Sequence, residues 1–288
     1  FQYDMEGAEI MPGISSAHQQ YLKRQKHRHY LIRITQFSLF FLFLIFWETA
    51  ARLGWIDAFI FSSPGRVAHT AADMAVDKSL FLHTGVTLLE TLISFFLTII
   101  IGLSVSVILW YFRSAAQILE PYLVILNSLP KSALAPLLIV WLGANIRTII
   151  VSGISVAVFG MILNLYTGFQ ETDPEKIKLI YTLRGNRKDV LFRIILPGTV
   201  PLFVSILKVN IGLCLVGVII GEFIGSRMGL GYLIIYGSQT FQLNLVITSI
   251  MILCGISLLL YLILGAAEKR YLSGTRTLPV RRKSSHIR

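Results

Sequence analysis

Six stretches of this chain stay apolar for about 20 residues, the length a helix needs to cross about 30 Å of hydrocarbon. They cover approximately 34–51, 86–112, 121–142, 148–169, 201–224 and 245–267. Rich in Leu, Ile and Phe with scattered Gly, they are far longer than the alternating strands, about 10 residues each, of a membrane barrel. The pattern predicts an all-α, polytopic membrane protein of about six transmembrane helices. One polar interruption stands out. Between the fourth and fifth runs, residues 173–201 read "DPEKIKLIYTLRGNRKDVLFRIILPGTVP" and carry six Lys or Arg.

Composition agrees with the pattern. Hydrophobic residues make up 55% of the 288 and charged residues 14%, with mean hydropathy +0.70, whereas a soluble domain carries about 25% charged residues. The first run begins after some 30 residues and lacks a small-residue cleavage site, so it is expected to be retained as a span. Cytoplasmic segments retain Lys and Arg, and this sets orientation. With the N-terminus inside, 19 of the 26 Lys and Arg fall on inner segments and five on outer ones, with Lys131 and Lys208 left within membrane runs. Both termini are thus expected in the cytoplasm: residues 1–30 as a basic tail, 31–271 as the membrane domain and 272–288 as a second basic tail. The net charge of +11 follows from this topology and attraction to the bilayer, so no nucleic-acid partner is expected.

Helix signals organise the polar interruption, taken with its margins as 170–200. Asp173 is placed to cap a helix opened by Pro174, with Glu175 in its first turn and Ile177, Ile180, Tyr181 and Leu183 giving it an apolar face. Gly185 permits a turn. Asn186 offers a second cap with Asp189 three residues on, so a second helix should run to "RIILP", which ends at Pro197. A helix-turn-helix tied at both ends to spans suits the receipt of a push from a soluble partner; the alternative is an interfacial helix lying on lipid.

This stretch resembles the coupling loop of ATP-binding-cassette importer permeases, which reads roughly E-A-A-x-x-x-G and, some nine residues later, I-x-L-P. Here Lys178, Leu179 and Ile180 stand in the first three places and Arg184 in place of the glycine. Gly185 follows one position late, and "IILP" closes the frame at 194–197. "SLPKSALAPLLIVWLG" at 128–143 and "GEFIGSRMGLGYLI" at 221–234 are similar to the nitrate, sulfonate, taurine and bicarbonate branch of these permeases, in the same order along the chain. The resemblance implies a type I importer in a bacterial inner membrane. A second permease copy, expected to be identical, would complete the pathway. Two ATPase subunits would carry the ATP and Mg, leaving no cofactor or metal on this chain, and an extracytoplasmic solute-binding protein would deliver a small solute. In that frame Asp173, Pro174, Ile177, Ile180, Tyr181, Leu183, Arg184, Gly185, Asn186 and Pro197 are the coupling residues.

Within the spans, Gly217, Gly221 and Gly225 recur at every fourth position and suit close helix approach. Gly153, Ala157, Gly160 and Asn164 form a similar stripe. Glu222 lies between two of the glycines and either lines the pathway or is a paired structural carboxylate. Lys208 is expected to snorkel to headgroups. Lys131 falls about 17 Å along the third run, near the bilayer midplane, between Pro130 and Pro136, each of which removes a backbone donor and so predicts a break in the helix. Asn127, Ser128, Ser132 and Ala135 would share its face of a continuous helix, making a polar stripe that could line the pathway and favour an anion. The alternative is a lysine bonded to carbonyls freed by the prolines.

An ion-gradient-driven transporter or channel is the competing class. No repeat links the halves, no run of intramembrane acids suggests ion coupling, and no phosphate loop suggests hydrolysis on this chain. The charge asymmetry makes a labelling prediction. Cysteines placed at Ser79 and Ser238 should react with an impermeant reagent from outside, and those at Thr182 and Ser284 should not; the reverse pattern overturns the orientation.

Overall fold

The computed structural model describes residues 16–275 and contains helices only among them. Half of the expected N-terminal tail, 1–15, and most of the C-terminal one, 276–288, lie outside the described residues. The chain divides into units 1–66 and 67–288, a boundary inside the stretch expected to form one membrane domain.

The first unit is dominated by α1 (Ser16–Arg52), which starts well before the first apolar run, so the second half of the expected N-terminal tail is helical. Its apolar stretch leaves Phe37, Leu39, Phe40 and Leu42 exposed, as suits a lipid-facing span. At its end Glu48 accepts from Arg52 Nε (2.7 Å) and from the backbone N–H of Gly65 (2.9 Å). That carboxylate and Ser63 Oγ, which accepts from Arg66 N at 3.4 Å, satisfy two of the free N–H groups that open α2 (Pro64–Val76).

In the second unit three long helices make the core: α3 (Ser79–Tyr111), α6 (Ile146–Gln170) and α9 (Leu196–Gly225). Lipid tails are as apolar as leucine, so burial alone does not hold helices together in a bilayer; close packing and hydrogen bonds do. The glycines of α9 provide the closest approach. A Cβ on Gly217 would lie 2.8 Å from both the Cα of Gly153 and the carbonyl oxygen of Ser152, and one on Gly221 would lie 3.0 Å from the Cα of Ile149. Gly225 meets Ile139 instead, at 3.1 Å. Ser152 Oγ donates to the Gly217 carbonyl across this contact at 2.8 Å.

A second small-residue stripe, absent from the reading of the sequence, runs down α3. Thr87, Thr91, Ser94, Thr98, Gly102 and Ser106 are all buried and spaced by three or four residues, so they lie on one face. Ser94 and Ser106 donate to the α6 carbonyls of Ile150 (3.2 Å) and Ile162 (3.1 Å). Hydroxyls bonded to a neighbouring backbone read as polar in a sequence yet act as packing residues here.

The third expected span is broken. Its residues divide between α4 (Arg113–Ser128) and α5 (Lys131–Leu142), bent by 97° at Leu129 and Pro130. Pro130 has no N–H with which to continue α4, and Leu129 before it is extended (φ −63°, ψ 141°). Among the described residues, five helices are long and apolar enough to cross a membrane, or six if this bent pair is one span.

The described residues end in α10 (Leu230–Gln239) and α11 (Leu243–Thr275), which pack with α9 around Leu215, Leu230, Leu233, Leu253 and Ile256. Lys208 does not snorkel: its ammonium pairs with Glu268 of α11 at 2.5 Å, both side chains about four-fifths enclosed.

Gly217→Ala should force the α6 and α9 backbones apart and destabilise the protein by about 1–3 kcal/mol. Gly255→Ala, where a Cβ meets nothing within 4 Å, should be neutral or stabilise by about 0.5–1 kcal/mol. Thermal unfolding of the detergent-solubilised chain distinguishes them, and equal midpoints would refute the tight contact.

Candidate functional site

Between α6 and α9 the polar interruption folds as two short helices and a wide turn. In α7 (Pro174–Thr182), Asp173 caps the start by accepting from Glu175 N at 2.9 Å, with Pro174 in the first helical position. Asn186 and Asp189 form a reciprocal capping box at the start of α8 (Arg187–Val190), each side chain accepting from the other's backbone N–H at 2.9–3.0 Å. The second helix does not end at Pro197. A π turn (Leu191–Ile195) joins α8 to α9, with Pro197 near the N-terminus of α9. The wider turn receives a residue that lacks an N–H and would clash with the preceding turn of a regular helix.

The link between α7 and α8 accounts for the displaced glycine. Arg184 takes the left-handed conformation (φ 59°) and donates its N–H to the Tyr181 carbonyl at 3.0 Å, while Gly185 donates to Ile180 at 2.8 Å. This is a Schellman ending, in which the left-handed residue is usually glycine. Gly185 serves close approach: a Cβ there would lie 2.5 Å from Ile180 Cγ2 and 2.9 Å from the Ile180 carbonyl oxygen. Arg184 therefore occupies the position whose backbone demands explain the usual glycine.

The apolar face of α7 is divided. Ile177 and Ile180 pack inward against the buried cluster to which Phe169, Val190 and Leu191 belong. Leu179, Tyr181 and Leu183 are exposed at 57%, 50% and 70%. Ile177 and Ile180 are thus anchors, and the surface on offer to a partner consists of Leu179, Tyr181 and Leu183.

Lys131 is not in mid-helix. It opens α5 at the bend, and its ammonium donates to the carbonyl of Asn127, one of the carbonyls freed where α4 ends. The continuous polar face expected around it does not exist: Asn127 and Ser128 belong to α4, Ser132, Ala135 and Pro136 to α5, and Ala135 is buried. Asn127 sits instead against Gly160 of α6, where a Cβ would lie 3.4 Å from its Oδ1.

Glu222 is fully buried in this chain and lines no open space. Its Oε1 accepts from Thr87 Oγ1 at 2.7 Å and its Oε2 from the N–H of Gly231 at 2.6 Å. Thr87 Oγ1 in turn accepts from Leu230 N at 2.8 Å, and His83 Nδ1 accepts from Gly229 N at 3.0 Å. Side chains of α3 and α9 thus satisfy the three N–H groups at the start of α10, with a carboxylate at the positive end of its dipole. "GLG" follows from this. Gly229 has φ 104°, and a Cβ on it or on Gly231 would run into the Glu222 carboxyl. Glu90 is buried beside Glu222.

Asn127, Ser128 and Ser132 stay exposed near the bend, and further exposed polar groups line a cleft of about 350 Å³ between α6 and α9. Asn164, Thr167 and Glu171 line it from α6 and its end, and Ser205 from α9 beside Leu202 and Val209. The sequence signal was present in the spacing of 164, 167 and 171 along one helix face.

Residues 94–273 match the family model described as binding-protein-dependent transport system inner membrane component. A probable ABC transporter permease protein of Haemophilus influenzae is 33% identical over 76% of this chain and 88% of its own length. The formylaminopyrimidine transport permease protein of Halalkalibacterium halodurans is 28% identical over 68% and 78%, and the taurine transport system permease protein of Escherichia coli 25% over 79% and 84%. Among solved structures, an inward-facing conformation of the MetNI methionine ABC transporter superposes with a TM-score of 0.56 at 20% identity, covering 66% of this chain and 92% of that one. With helices of the type I importer fold and a family match across well over half its length, the chain belongs to the binding-protein-dependent transport system inner membrane components, permease subunits of ABC importers whose ATPase is a separate chain.

Proposed function

We propose that two copies of this chain form the pathway of an ATP-driven importer, which receives a small polar organic solute from an extracytoplasmic binding protein and releases it to the cytoplasm. Both termini and the loop at 170–200 lie in the cytoplasm, where two ATPase subunits dock and hold the ATP and Mg. The observation that carries this reading is the exposed apolar face of α7, Leu179, Tyr181 and Leu183, on a loop whose caps and Schellman turn fix its shape without a partner. Such a patch between two spans suits a groove in a soluble subunit.

The pathway is assigned to the α6–α9 cleft. Polar side chains exposed along spanning helices are costly against lipid, so Asn164, Thr167 and Ser205 are expected to face water or a second copy. An anionic solute finds less support than the position of Lys131 in the sequence suggested, since that residue opens α5 at the bend, away from any continuous polar face, with one ammonium N–H on the Asn127 carbonyl. Relatives named for taurine and aliphatic sulfonates favour an anion, whereas those named for formylaminopyrimidine and riboflavin favour a neutral heterocycle. A small polar organic molecule covers both chemistries.

Leu183→Asp should weaken ATPase docking about tenfold or more and lower uptake accordingly, as loss of an interface anchor does. Arg184→Gly should keep docking and stabilise the loop by about 1 kcal/mol, read as slower hydrogen exchange in α7. Co-purification of the ATPase subunits and ATP-dependent uptake of labelled taurine or formylaminopyrimidine into vesicles test the whole. Uptake that follows an ion gradient without ATP would establish the competing class.

A further inference from the structure

Arg187 is absorbed neither by the docking face nor by the cleft. It is the first residue of α8, half-buried, and its guanidinium lies over the rings of Trp110 and Tyr111, 5.4 and 5.2 Å from their centroids. Its Nη2 also donates to the Trp110 carbonyl at 3.1 Å. That carbonyl is among the last four of α3, which lack partners within the helix, and a cation there complements the helix dipole. Guanidinium stacking and bonding together suit this place better than an ammonium would.

Three helices meet the loop. It continues by covalent connection into α6 at one end and, through the π turn, into α9 at the other. The inner end of α3 has no such connection, and Arg187 grips it by side chain. About 35 Å away along the same helix, at 1.5 Å per residue, Thr87 bonds both Glu222 and the N–H of Leu230 in the α9–α10 turn. No proline interrupts α3 between these points. Thr, Ser and Gly make up most of its buried face, with Phe95 and Leu109 the large side chains that key it to its neighbours, so α3 is an unbroken rod able to move as one piece in a small shear.

We infer that Arg187 is a positioning residue that ties the coupling loop to α3, and that α3 carries the displacement of the loop to the α9–α10 turn at its far end. The inference rests on the ATP-driven reading above. A push on α8 shifts α3 along its axis, moves Thr87 relative to Glu222 and Leu230, and loosens the start of α10. α6 and α9 hold the scaffold against which α3 slides.

The test uses the complete transporter, permease with its ATPase subunits, reconstituted in lipid vesicles. Met228→Cys places a reporter in the exposed part of the α9–α10 turn, with exposed Cys254 replaced by Ser. Labelling by an impermeant maleimide is timed with and without ATP, Mg and vanadate, which traps the ATPase. The rate is expected to change at least about fivefold with trapping, the lower end of coupling between distant sites. Arg187→Gln should abolish that change while the ATPase subunits still co-purify and hydrolyse ATP, and Arg187→Lys should restore part of it. Thr87→Val, at the other end of α3, should abolish it too, and the double variant should be no worse than either single one.

A trapping response that survives Arg187→Gln, or one that survives Thr87→Val, overturns the inference. So does Arg187→Gln that loses the ATPase subunits or lowers the unfolding midpoint in proportion to the lost response, because Arg187 would then serve docking or folding. An unchanged reporter in the otherwise unsubstituted transporter also overturns it. A reconstituted complex that neither binds an ATPase nor hydrolyses ATP removes the functional reading itself, a result distinct from all of these.

Discussion

The contact at Gly217 and Gly153 is the constraint on which the other packing depends. A bilayer offers apolar side chains no gain from leaving water, so two helices stay together only where their backbones approach closely enough for dispersion and hydrogen bonds to act. Here the approach leaves no room for a single carbon at Gly217. It also brings the Gly217 carbonyl within reach of Ser152 Oγ. With α6 and α9 set at that separation, the small face of α3 fits against both, and each of its hydroxyls finds a backbone or side-chain acceptor.

Close packing also explains how the fold tolerates buried acids. Glu222 has no exposed surface, yet its oxygens meet a hydroxyl and a helix N-terminus. The three N–H groups at the start of α10 would be costly in hydrocarbon without acceptors, and Glu222, Thr87 and His83 supply them. The two glycines of "GLG" leave the space that the carboxyl fills. A motif that looks like a flexible hinge in the sequence is thus a tightly occupied joint between three helices.

Signals that act within a few residues were legible in the sequence. Asp173, Pro174, Asn186 and Asp189 read as caps because a cap depends on its own turn, and the glycine stripe of α9 showed in its own spacing, though not the helix that it meets. Signals that depend on a partner helix were not. The prolines of the third apolar run predicted a break but not its size, a turn of 97° at Leu129 and Pro130. Lys131 looked expensive at mid-depth because that run was counted as one helix; at the bend, the freed Asn127 carbonyl is its partner. The sequence could not name Thr87 as a partner of Glu222 or Glu268 as that of Lys208, because they lie 135 and 60 residues away.

The departures of the loop from its family pattern follow from the same distinction between local and distant demands. The backbone at position 184 must be left-handed to end α7, a need that glycine meets without strain and arginine meets at about 1 kcal/mol. The two hydrogen bonds of the Schellman turn and the capping box after it supply more than enough to hold that conformation. What the chain lacks in intrinsic preference at one residue it recovers in the turn as a whole. A match judged letter by letter misses what position 184 must do, which is to turn the backbone from one capped helix to the next. That path sets Ile177 and Ile180 inward and leaves Leu179 and Leu183 facing out, whichever residue occupies position 184.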